Sequence, residues 1–335
     1  MLTVRSPGAI IAVTKGAIMS GLKISNIVCL TAALLATAFA GGIAGDINSN
    51  AGTSAFPFLK INVSARAVSM GGAFTGLADD ESALYYNPAG ITSFEENRFI
   101  LGYHNYIVDM QSGFVGYIHA FDTVKALGVY ASYLNYGDFI ETDQLGNTTG
   151  EFSGGDFMLA LSFALKRGYH LAFGATAKFI YEKVQEFSAT GLAVDIGGKY
   201  TADRNRYAVG LMVQNLGAQL SALGEETDKL PLAFRLGGSF NPKGIPMTLA
   251  SDVILPLDND LVFAVGTEYY ALKPFYVRLG WNTFGSNFRA ADSDDKWAGL
   301  SLGVGFDIKR FQISYAFSPS ADLGESHRVT LTGGL

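Results

Sequence analysis

The chain has 335 residues and a net charge of −6, and charged residues make up only 16% of it. Soluble domains carry roughly 25% charged residues, so an ordinary soluble enzyme is a poor fit. The acidic balance also excludes a nucleic-acid partner, which needs a basic stripe to neutralise phosphates. With 40 glycines and 13% aromatics, the composition suits closely packed strands.

Residues 1–40 read as a secretory signal peptide. Lys15 and Lys23 precede the apolar run 24–40, and Ala38-Phe39-Ala40 supplies small residues for cleavage after Ala40. Either Met1 or Met19 can open such a leader. The run is too short for a membrane-spanning helix. Cys29, the single cysteine, lies inside the leader behind Val28, which does not make a lipoprotein signal. The mature chain is therefore expected to have no disulfide, thiol nucleophile or Cys-ligated metal.

Residues 41–96 lack strand alternation. Asp79 or Asp80 is expected to cap a short helix through Glu81–Tyr86, with acids at its positive end. Pro88 disfavours helical geometry at Asn87 and stops it, and Gly90 permits a tight turn. Gly71 and Gly72 allow φ > 0 or close backbone approach. A compact, turn-rich insert of this kind suits the inside of a ring.

From Asn97 to Leu335 the rhythm changes to segments of about ten residues with period-two alternation, the pattern of half-buried strands. In 157–165, Phe157, Leu159, Leu161, Phe163 and Leu165 share one face, and Met158, Ala160, Ser162 and Ala164 share the other. Strands are expected near 97–109, 112–121, 124–136, 154–166, 169–184, 187–201, 206–216, 230–240, 246–255, 261–271, 274–284, 296–306, 309–318 and 326–335. Short connections (122–124, 167–168, 202–205, 241–244, 272–273, 307–309) alternate with long, often acidic ones (137–153, 217–229, 284–295, 318–325). Short periplasmic turns and long outer loops belong to outer-membrane barrels. The expected fold class is thus all-β, a transmembrane antiparallel barrel of about 14 strands over 97–335, with 41–96 as an N-terminal lumenal plug.

If the apolar faces meet lipid, parity turns Asp195, Lys199, Arg235, Asp252, Glu268 and Arg278 inward, because ions at membrane depth need a wet or paired interior. Both signs occur, so these charges are expected to pair across the lumen and hold something there. A barrel of this size leaves a wide bore, and 41–96 is the stretch available to fill it.

No catalytic, cofactor or metal site is expected. His104, His119, His170 and His327 lie on separate strands without an i, i+4 pair, and no zinc-ligand spacing occurs. Asp258-Asn259-Asp260 and Asp292-Ser293-Asp294-Asp295 lack the spacing of a calcium loop and read as solvated acidic loops. Gly71-Gly72 is no phosphate loop, since no Gly-Lys-Ser/Thr follows it.

The segment Ala65-Arg66-Ala67-Val68-Ser69-Met70-Gly71-Gly72-Ala73-Phe74, followed by Ala78-Asp79-Asp80-Glu81-Ser82-Ala83 and Asn87-Pro88-Ala89-Gly90, resembles the plug of the PorV/PorQ family. That family lies within the FadL-like (OMPP1/FadL/TodX) superfamily of outer-membrane barrels, which shares the Asn-Pro-Ala-Gly element. Val213-Gln214-Asn215-Leu216-Gly217 resembles a second family signature. The resemblance implies fourteen strands, a bacterial outer-membrane location and work with the type IX secretion system. The partners it implies, besides outer-membrane lipid, are secreted proteins held by their C-terminal signal domains, and other secretion components. The docking surface would be the long outer loops, with Phe139, Leu145, Phe152, Leu220, Leu223 and Phe288. The alternative the superfamily implies is uptake of long-chain fatty acids or another hydrophobic ligand. One departure is the end of the chain: barrels of this kind commonly close on an aromatic, and this one ends in Leu335.

Overall fold

Every second side chain of a strand falls on the same face, and here the two faces meet different surroundings. Leu159, Leu161 and Phe163 are 46%, 54% and 44% exposed, whereas Met158, Ala160 and Ser162 between them are buried. The computed structural model describes residues 48–203, 205–288, 297–319 and 324–335. The expected leader at 1–40, with Met19 and Cys29, and the Asp292–Asp295 cluster lie outside the described residues.

Fourteen antiparallel strands close into a barrel in chain order. They are β1 (Arg98–Asn105), β2 (Gln111–Ala120), β3 (Lys125–Thr142), β4 (Thr148–Arg167), β5 (Leu171–Val184), β6 (Phe187–Ala202) and β7 (Tyr207–Ser221). The ring continues through β8 (Ala233–Phe240), β9 (Met247–Pro256), β10 (Val262–Tyr269), β11 (Phe275–Asn282), β12 (Leu300–Ile308), β13 (Phe311–Pro319) and β14 (Glu325–Gly334). It closes where Arg98 of β1 pairs with Gly334 of β14. Large apolar side chains such as Leu101, Val129, Phe173, Ile196, Leu211, Leu236, Val277 and Val304 stand exposed around its outside. A closed wall satisfies the backbone and its greasy exterior requires lipid.

The expected loop 137–153 is corrected: β3 and β4 continue as a two-stranded ribbon, so that only 143–147 forms the turn. A register shift between Asn135 and Asp138, with Gly137 at φ 81°, interrupts the alternation and hid the continuation. Likewise β7 runs on to Ser221 past a bulge at Asn215, a non-glycine residue at φ 61°. At the same end of the barrel, β5 and β6 are joined through Gln185 and Glu186 alone, so loop length alternates less strictly than expected.

Before β1 lie two short helices, α1 (Ala65–Ser69) and α2 (Ala83–Tyr86), among turns. Ser64 caps α1 by accepting the Ala67 N–H. The expected cap of the second helix is corrected. α2 starts at Ala83 and its N-cap residue Ser82 makes no side-chain cap bond. Asp80 accepts the Ser82 N–H at 2.9 Å, and Asp79 is drawn away to Arg66. Asn87 accepts the Ala89 N–H and so opens a 3-10 turn over Pro88–Ser93, in which Pro88 is the first residue. Gly90 lies within that turn; a Cβ there would stand 2.9 Å from the Cβ atoms of both Ala78 and Ala83, so close packing is its role. Phe56, Phe74, Leu84, Tyr86 and Ile91 from this segment are fully buried with Ile100, Ile118, Tyr130, Met158 and Ile180 from the inner wall. The apolar core therefore sits between the pre-barrel segment and the inward faces of the strands.

Candidate functional site

Strand parity brings the six charged residues named from the sequence to the inner wall, each nearly inaccessible to solvent. Most of their bonds go to the segment before the barrel. Arg66 of α1 donates from Nε and Nη2 to Glu268 of β10 at 2.9 and 2.8 Å. Its Nη1 reaches Asp79 at 2.6 Å and Asp80 at 3.1 Å. Arg278 of β11 donates to the same Glu268 at 2.6 Å and to Ser314 at 3.0 Å. Two guanidiniums thus share one carboxylate, and one of them ties α1 to both the wall and its own chain. Burial opposes the charge of Arg66, but Asp79, Glu268 and Asp80 more than offset it, holding the guanidinium pKa well above its ordinary value.

Asp252 of β9 accepts the backbone N–H groups of Phe74 and Thr75 at 3.1 and 2.9 Å. Arg235 of β8 donates to the Gly72 carbonyl at 3.1 Å and faces Asp252 at 3.5 Å. Lys199 of β6 donates to the carbonyls of Leu77 and Ala78 at 2.5 and 2.7 Å. Asn87 donates to Thr75 O at 2.9 Å and to Gly198 O at 3.2 Å. Side chains of the wall therefore satisfy the irregular backbone of 72–78, which has no regular secondary structure to do so.

Shape matches chemistry. The turn at Met70-Gly71, with Gly71 and Gly72 at φ 70° and 83°, lies against Gly266 and Gly280. Thr75-Gly76 lies against Gly210 and Gly237, and Pro88-Ala89 against Gly174. A Cβ added at any of these five wall glycines would come within 2.7 Å of the segment's backbone. The wall carries a notch for each turn.

Asp195 behaves differently. It pairs with Lys178 at 2.6 Å, and both side chains are essentially fully buried. Asp195 accepts the Asn215 N–H at 2.8 Å, while Lys178 donates to Asn215 Oδ1 at 2.8 Å and Asn215 donates to Pro231 O at 3.1 Å. This triad lies within the wall and builds the β7 bulge. Gln214 is buried beside it, and at Gly217 a Cβ would stand 2.7 Å from Ala193 Cα. Asn215 and Gly217 thus act on the backbone where β6 and β7 meet.

Lys178 was missed in the sequence although the same parity turns it inward, as were the buried Asp156, His104 and Arg328. The four histidines are not brought together, and the described residues hold no cluster of three or more His, Cys, Asp or Glu able to take a metal. Asp258 is paired with Lys60 and Asp260 accepts from Asn48.

Two hollows flank the segment. At the end where β1 begins, a polar cleft of about 620 Å³ is lined by Arg66, Asp79, Glu81, Arg98, Lys273 and Asp307. Burial pushes the Glu81 carboxyl up to about 7; neighbouring Asp80 adds to this, and Arg98, bonded at 2.6 Å, offsets part of it. On the other side, Phe58, Leu59, Ile61, Val63, Leu134 and Met158 line an apolar hollow with room for about one water molecule.

A family described as "Type IX secretion system protein PorV" matches residues 44–244. No curated protein matches the chain. Among solved structures, the Pseudomonas putida toluene transporter TodX is similar with a TM-score of 0.54, 13% identity, and coverage of 79% of this chain and 95% of that one. The CymD monoaromatic hydrocarbon channel has a TM-score of 0.56 and 14% identity, over 84% of this chain and 99% of that one. A Pseudomonas aeruginosa FadL homologue has a TM-score of 0.50 and 12% identity, over 79% and 96%. At these identities the likeness is one of fold.

Proposed function

Because this chain belongs to the PorV family of type IX secretion proteins, a barrel of the bacterial outer membrane, we propose that it docks exported proteins at the cell surface. In this reading residues 1–40 are a removed leader, 41–96 a fixed plug, and 97–335 the barrel. The family and fold are those of secretion and transport proteins, not enzymes. The observation that carries the reading is the fate of the inward charges. Glu268, Asp252, Arg235 and Lys199 are spent on residues 66–78, so this segment is bound to the wall from several strands at once, as a plug would need. The outer rim is left as the surface that can meet a partner.

Purification from the native membrane tests the docking. Exported proteins bearing C-terminal signal domains are expected to be recovered with the barrel. Their absence, with fatty acid or hydrocarbon retained instead, would overturn it in favour of hydrophobic uptake. Besides the fold likeness to hydrocarbon channels, the apolar hollow beside Phe58 and Leu59 is on the side of uptake, and its size holds no hydrocarbon. The plug has its own test. Deleting residues 52–94 should raise single-channel conductance in planar bilayers several-fold, since a barrel of this size has a wide bore and this is the described segment packed against its inner wall; an unchanged conductance would rule out a plug.

A further inference from the structure

Beyond the barrel rim, β3 and β4 form a ribbon in which Asp138–Thr142 pairs with Thr148–Ser153. The pairing of β4 with β5 begins only at Gly154, and among the described residues no strand lies against the other side of Gly150–Phe152. The Ser153 carbonyl accepts the Gln185 N–H, which shows that odd-numbered residues of β4 turn their backbone groups towards β5. Peptide groups of alternate residues point to the same edge. The N–H and C=O of Glu151 and the N–H of Ser153 therefore face open space, above the step where β5 stops. That step is a groove of about 650 Å³ lined by Glu151, Phe152, Ser153, Lys183, Gln185 and Glu186.

An exposed strand edge is a template for another strand. Its surroundings are one-sided: Asp138, Glu141, Asp143, Glu151 and Glu186 are exposed around it, against Lys183. On one face of the ribbon the rings of Phe139 and Phe152 stack at 5.2 Å, and Ile140 and Leu145 are exposed nearby. A stacked aromatic pair on one face and acidic groups around the edge fit an extended segment that carries basic side chains.

We propose that the free edge of β4 at residues 150–153 is where a basic, extended segment of an exported protein adds to the barrel as an extra strand. This rests on the docking reading above and gives it a site and a geometry. The pairing needs only backbone groups and charge, so many exported proteins with different side chains would share it.

Proline at 151 discriminates. It removes an N–H that faces the open edge and leaves the β3–β4 pairing intact, as edge strands tolerate. Full-length Glu151→Pro, isolated from the native membrane, should retain exported proteins at least tenfold less than the parent chain, with unchanged gel mobility of the unheated barrel. The charge-reversed pair Glu151→Lys and Glu186→Lys, which does not touch backbone geometry, should lose a similar amount, and retention by the parent chain should fall as salt rises. If the parent chain retains exported proteins and both variants retain them equally, the strand-edge site is wrong while docking stands. If the parent chain retains none, docking itself fails and the site falls with it.

Discussion

Gly280→Leu is expected to leave the barrel assembled but the pre-barrel turn at Met70-Gly71 unseated, so that, if the proposed plug holds, the variant conducts ions like a chain lacking residues 52–94. Gly280 faces the turn at Met70-Gly71, and even its first added carbon would stand 2.7 Å from Met70 Cα. Those neighbours are backbone, held by the Ser64 cap at one side and by Asn282, which donates to Gly71 O at 3.0 Å, at the other. They cannot turn aside as the end of a side chain would. Overpacking a well-filled interior costs about 1–3 kcal/mol, and a leucine aimed at backbone belongs at the upper end or beyond. That is on the order of a hundredfold shift away from the seated state. Gly198→Ala is the control, because a Cβ there meets nothing nearer than 3.8 Å. A Gly280→Leu barrel with parental conductance would mean that the turn does not depend on its notch.

Lys178→Met is expected to be the most destabilising of the charge removals. It strands Asp195 in a site where neither side chain of the pair is more than 1% accessible. Breaking a buried pair by removing one partner costs about 3–5 kcal/mol, chiefly through the uncompensated charge left behind. Adding Asp195→Asn should return most of that loss, because an amide oxygen still accepts the Asn215 N–H and no charge remains. Denaturant unfolding in detergent micelles checks both variants. Equal midpoints for Lys178→Met and the parent would show that water reaches Asp195. The expected coupling between the two positions is the sharper measure, since a merely lost packing contact would not be restored by the second substitution.

The two variants also separate what could be read in advance from what could not. Alternation such as Leu159-Ala160-Leu161-Ser162 follows from the local geometry of a strand, so the wall, its lipid-facing side and the inward turn of Asp195, Lys199, Arg235, Asp252, Glu268 and Arg278 were legible residue by residue. The same rule, applied to Lys178, His104 and Arg328, would have found them too. The rhythm failed at Gly137 and Asn215, where positive φ and a bulge shift the parity, and the ribbon beyond the rim was therefore mistaken for a loop.

What each inward charge holds lay beyond such reading. Asp252 and Thr75 are 177 positions apart, and Arg66 and Glu268 are 202 apart. No local pattern encodes that Asp252 serves two backbone N–H groups while Asp195 serves a bulge. The glycines are a plainer case: 40 of them are visible in the chain, but a missing side chain carries no sign of what approaches it. By itself the sequence determined a closed, lipid-facing wall with charges inside, because period and polarity are properties of each strand alone. Only the tertiary structure decided which charge grips which turn and which glycine receives it, because those depend on the register of strands around a closed ring.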